Sequence, residues 1–135
     1  MEQIHLEKIT RIKEKFSSLH TPQERYTYLI ELGRALPPFP DHLKTPDNLV
    51  AGCQSQLFLH ASCDSGRMHF LGQSDALISA GLCALLLEAY NDCSPQTVLL
   101  NPPIFLQEIG IFAALSPTRS NGLVHIYLKM KLFTH

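Results

Sequence analysis

The chain lacks the features that would place it in several large classes. It has no glycine-rich phosphate loop, which leaves no sign of a nucleotide site or of a pyridoxal phosphate site of its own. Charged residues are only 17% of the total and the formal net charge is −1, with no basic stripe to track a phosphate backbone or an anionic membrane. Nucleic acid and membrane partners are therefore not expected. The longest apolar stretch, Ala76 to Leu87, falls well short of the roughly 20 residues a membrane span needs. Met1-Glu2-Gln3-Ile4-His5 opens with an acid and no apolar signal region, so a soluble, cytoplasmic protein is expected. No Cys-x-x-Cys pair is present. Cys53, Cys63, Cys83 and Cys93 stand ten or twenty residues apart, whereas zinc asks for close pairs of ligands. A reduced compartment and no metal are the expectation.

What remains is an ordinary globular composition. The 135 residues, 45% of them apolar, are enough for one compact domain over residues 1–135. Leu6, Ile9, Ile12 and Phe16 recur at helical spacing and predict an amphipathic first helix ending near Ser17-Ser18. Thr21-Pro22-Gln23-Glu24 reads as the cap of a second helix running to about Gly33, burying Tyr26, Leu29, Ile30 and Leu32. The prolines between Leu36 and Val50 predict a long irregular loop.

From Gln54 to Cys63 the residues alternate as in a strand, and Asp64-Ser65-Gly66 turns the chain into a return strand through Met68 to Leu71. Ser74-Asp75 is expected to cap a third helix to about Tyr90, apolar nearly all round and hence central and buried. Ser94-Pro95 starts a short helix and Pro102-Pro103 interrupts it. Another turn runs from Ile104 to Ile109 with Gly110 as its stop. Ser116-Pro117 begins a last helix with Leu123, Ile126, Tyr127, Met130 and Leu132 as its apolar stripe. The fold class is α+β, a small antiparallel sheet packed with several helices.

Val50-Ala51-Gly52-Cys53-Gln54-Ser55-Gln56 holds the main chemical candidate. Gly52 can take backbone angles closed to other residues and lift Cys53 to a loop tip. Gln54 and Ser55 can hydrogen-bond a sulfur anion or hold the loop. A free cysteine is more often a small buried hydrophobe, but Cys53 lies between a loop and a strand rather than in an apolar stripe. Cys83, inside the apolar helix, reads as core; Cys63 and Cys93 read as incidental. His60 and His69 are placed to face each other across the hairpin. His5, His20, His42 and His135 read as surface, and His125 sits on the last helix with no carboxylate near it in sequence.

Four stretches, in order, resemble the SufE family of sulfur acceptors. They are Val50 to Gln56, then Gly72-Gln73-Ser74-Asp75-Ala76 with Gly81-Leu82, then Ser94-Pro95, and finally Leu115-Ser116-Pro117-Thr118-Arg119-Ser120-Asn121-Gly122-Leu123. The chain departs from the family pattern at Ala51, where proline is common, and at Leu57-Phe58, where an aliphatic–tryptophan pair is common; tryptophan is absent throughout. The resemblance implies a fold shared with the scaffold proteins of iron–sulfur assembly. It implies a partner, a cysteine desulfurase carrying pyridoxal phosphate, and a downstream iron–sulfur scaffold, with no cofactor on this chain. By the family pattern Cys53 accepts the sulfur, Arg119 comes near the acceptor loop and favours the thiolate, and Asp75 stands at the start of the central helix. Two other classes compete: a scaffold that binds a cluster itself, and a small thiol hydrolase.

Overall fold

The computed structural model describes residues 2–53 and 55–134. Helices α1 (Gln3–Ser17) and α2 (Pro22–Arg34) precede a hairpin, β1 (Leu57–Asp64) and β2 (Arg67–Ser74), followed by α3 (Leu77–Tyr90), α4 (Pro95–Leu100), α5 (Phe105–Glu108) and α6 (Pro117–Leu132). The fold is α+β, as its residue pattern implies. Short 3-10 turns at Asp41–Leu43, Pro46–Asn48 and Ile111–Ala114 fill stretches with no periodicity to predict them.

α3 is the hub, with α2, β2, α6 and α1 all packed on it. Its leucines explain why: Leu82, Leu85, Leu86 and Leu87 are all at most 4% exposed, and burying each contributes up to about 1.5–3 kcal/mol. The approach of α2 depends on Gly81, where any side chain would overlap the carbonyl of Leu29. Leu77, at the open end of α3, is exposed.

The hairpin buries one face through Leu57, Leu59, Met68 and Phe70. Its turn is Ser65-Gly66, both at positive φ, the two-residue form that suits the twist of an antiparallel pair. That turn fixes Asp64 opposite Arg67 and hence His60 opposite Leu71 and His69 opposite Ser62. The two histidines therefore do not face each other. His60 lies beside Asn48 and Phe133, and His69 beside Asp92. Both outer edges of the hairpin are occupied. The chain at Leu49–Val50 pairs with β1, and the turn at Asp92–Cys93 bonds to Met68 of β2.

Several helix details differ from expectation. His5 is buried, not on the surface: it stacks on Tyr90 at 4.9 Å, and its Nδ1–H donates to the Ala89 carbonyl at 2.7 Å. It shares the stripe of Ile9, Ile12 and Phe16, and it is Leu6 that faces out. Of the residues expected to be buried on α2, only Leu29 is fully so; Tyr26, Ile30 and Leu32 are half-buried. α3 begins two residues after Asp75, with Ala76 as its cap, because Ser74 still pairs with Leu57 in the hairpin. Leu132, in the last turn of α6, is exposed. His20 and His42 are exposed at the surface, and His135 lies outside the described residues.

Candidate functional site

The chain leaves the core at Val50 and re-enters it at Leu57, and these two points are tied together. Val50 donates its N–H to the Leu57 carbonyl at 2.9 Å, and Leu49 bridges to Phe58. Val50 and Leu57 are both core residues, so the base of the loop is anchored while Ala51 and Gly52 at its crest are exposed. Ser55 ties the outgoing limb to α3 through a hydrogen bond with Ser79, Oγ to Oγ at 2.8 Å. Ser55 therefore holds the loop and does not bond the sulfur. Gln54 lies outside the described residues.

Gly52 has φ +82°, a left-handed conformation that side chains resist. This lets the chain turn so that Cys53 points back towards α6. The Cys53 thiol is half-buried, 3.8 Å from the Gly122 carbonyl. It borders a cavity of about 160 Å³. Leu57, Leu82, Leu123 and Ile126, all buried, form the cavity floor, and the exposed Thr118 and Arg119 form its rim.

Arg119 borders the same cavity as Cys53, as the resemblance implies. Burial pushes the Cys53 thiol up. Burial thus favours the protonated thiol over the thiolate in this conformation. Arg119 is solvent-exposed and, among the described residues, makes no ion pair. Its backbone N–H donates to Ser116 Oγ, the cap of α6. Asp75 is exposed beside the outgoing limb of the loop, and its N–H reaches the Gln56 carbonyl at 3.4 Å. Among the described residues its carboxylate accepts no hydrogen bond. The carboxylate is thus exposed two residues ahead of α3.

The other thiols are differently placed. Cys83 is buried on α3 against Gly72, with its pKa pushed up to about 12 by burial. Cys93 is buried with its pKa at about 11, again through burial. Cys63 is exposed at the far end of β1. Among the described residues no group of three or more His, Cys, Asp or Glu is gathered to hold a metal.

One residue at this site escapes sequence reasoning. His125 on α6 packs directly against Gly52: a Cβ built there would lie 2.5–2.9 Å from three atoms of its ring. Nothing local in the sequence joins residues 52 and 125. The available signal is that His125 lies three residues after Gly122, close to the face of α6 that meets the loop.

These features define a class: a small α+β protein carrying a cysteine on a closed loop above a largely apolar cavity. Comparison with known proteins gives the family. The SufE family, described as an Fe-S metabolism associated domain, matches residues 10–134. An uncharacterised SufE-like protein of Synechocystis is 32% identical over 91% of this chain and 77% of its own length. The solution structure of a hypothetical protein from Thermus thermophilus superposes with a TM-score of 0.79 at 27% identity, covering 94% of this chain and 93% of that one. The chain belongs to the SufE family, which associates it with Fe-S metabolism.

Proposed function

We propose that this protein accepts sulfur from a cysteine desulfurase, stimulates that enzyme by relieving it of product, and relays the sulfur to iron–sulfur cluster assembly. The desulfurase supplies the pyridoxal phosphate; this chain supplies Cys53. The observation that carries the reading is the placement of Cys53 on a closed loop with its sulfur over a cavity.

The transfer is an exchange between a thiolate and a persulfide. The Cys53 thiolate attacks the outer sulfur of the enzyme's persulfide, R–S–SH. A new S–S bond forms on Cys53, the old one breaks, and the enzyme's cysteine leaves as a thiolate. No net oxidation occurs. The thiolate is the nucleophile, so the raised pKa of sheltered Cys53 keeps it unreactive until docking draws the loop out. Afterwards the cavity has room for the extra sulfur. At about 160 Å³ it matches in size an apolar cavity of about 150 Å³ that takes up a benzene-sized guest. Arg119 at the cavity rim and Asp75 beside the outgoing limb, both exposed, offer opposite charges to a partner's surface.

The competing cluster-scaffold reading needs about four convergent ligands, whereas Cys83 and Cys93 are separately buried and Cys63 lies at the far end of the hairpin. The test is a cysteine desulfurase assay with and without this protein. Cys53→Ser is expected to abolish stimulation while the protein stays folded. Full stimulation by Cys53→Ser refutes the reading.

A further inference from the structure

We infer that His125 is a positioning residue for the acceptor loop: its imidazole is a wedge under Gly52 that holds Cys53 in the sheltered position. The base of the loop is fixed independently by the Val50–Leu57 hydrogen bond and the Leu49–Phe58 bridge, and its outgoing limb by Ser55–Ser79. The crest, Ala51 and Gly52, is exposed. The packing partner of Gly52 is the His125 ring, at a distance that leaves no room for a methyl group. The left-handed turn at Gly52 and the ring beneath it are therefore fitted to each other.

The geometry assigns the two ends of the site different jobs. Gly122 is open towards the sulfur, with a built Cβ 3.7 Å from Cys53 Sγ, an ordinary contact that leaves the thiol loosely held from below. His125, one turn further along α6, makes the close contact. Removing the ring takes away packing that only the closed loop enjoys, so it shifts the loop towards the open form. The consequence for the reaction rests on the sulfur-acceptor reading. A loop that opens more readily lowers the concentration of acceptor needed for half-maximal desulfurase stimulation, with the maximal rate unchanged.

The test of the wedge itself needs no partner. Iodoacetamide labelling of each cysteine is followed by peptide mass spectrometry in the natural protein, His125→Ala, His125→Phe, Gly52→Ala and the double variant Gly52→Ala/His125→Ala. Alanine suits a helix interior, so His125→Ala keeps α6. Cys53 is expected to label about tenfold faster in His125→Ala, equivalent to about 1.4 kcal/mol, and His125→Phe, which restores a ring, is expected to reverse most of that gain. Gly52→Ala speeds labelling in both backgrounds, because φ +82° strains any side chain, and speeds it further when the ring is present, because the clash with the ring adds to that strain. The inference is overturned if His125→Ala leaves the Cys53 rate within about twofold. It is equally overturned if the two substitutions act independently, or if Cys83 labelling rises in step, which would signal general unfolding. Failure of desulfurase stimulation with these labelling results intact would count against the proposed function and not against the wedge.

Discussion

Cys53 and Cys83 belong to the same corner of the molecule but live in different environments. Cys83 is on the central helix, fully enclosed, its sulfur pressed against Gly72 of the hairpin. Cys53 stands on a short loop, half-exposed, with a cavity beside it. Burial raises the pKa of both. For Cys83 the burial is permanent, because releasing it means dismantling α3. For Cys53, on the proposed reading, it lasts only while the loop is closed: Ala51 and Gly52 above it are exposed, and what holds them is the His125 ring, the Ser55–Ser79 bond and the ties at the loop's base. A protective environment that can be opened locally is a handling device; one that cannot is packing.

That contrast is easiest to break by chemistry on the folded protein. Cys53 is expected to alkylate at least about a thousandfold faster than Cys83, whose exposure needs an opening on the scale of global stability. Site-resolved mass spectrometry reads both, and comparable rates would erase the distinction. Because burial raises its pKa, the Cys53 rate is expected to climb with pH to a midpoint above that of an exposed thiol.

Substitution sharpens the comparison from the stability side. Cys83→Ser puts a hydroxyl into an apolar interior and is expected to cost about 1–3 kcal/mol in urea unfolding. Cys53→Ser is expected to cost less than about 1 kcal/mol. The alkaline limb of stability separates them again. The unfolded chain releases the Cys83 proton near the ordinary thiol range, while the folded state keeps it to about 12. The folded state thus binds more protons in that window, and stability falls as pH rises through it only in the sense that the unfolded form gains from deprotonation. Cys83→Ala is expected to flatten that decline.

The smallest expected effect concerns His5. Burial depresses its pKa below 6.5, so the unfolded chain takes up the proton first on acidification. The contribution of neutral His5 is full above pH 6.5 and is lost as pH falls below it. His5→Phe, keeping the stack on Tyr90, is expected to weaken the acid dependence of the thermal midpoint; an unchanged dependence would place its origin elsewhere.

His5 also shows what could be read before the fold was known. Its burial was available from the spacing, since positions 5, 9, 12 and 16 form one helical stripe, and Leu6 draws attention only because it is apolar. The main helices and the hairpin were legible for the same reason: their periodicity is a direct imprint of one buried face. The start of α3 was not, because Ser74 serves the strand before any helix can claim it. The register of His60 and His69 depended on a two-residue turn. At the site, Gly52 and Cys53 stood out locally, whereas the packing of His125 against Gly52 and the place of Arg119 at the cavity rim are long-range facts. They are set by how α6 lies across the loop.

The most direct test of the account is to incubate the protein with a cysteine desulfurase and free cysteine, then locate the added sulfur by mass spectrometry of intact protein and peptides. The prediction is a single sulfur atom carried on Cys53 and removed by reductant. Sulfur found chiefly on Cys63 or Cys93, or none on the protein while the enzyme turns over, would contradict it.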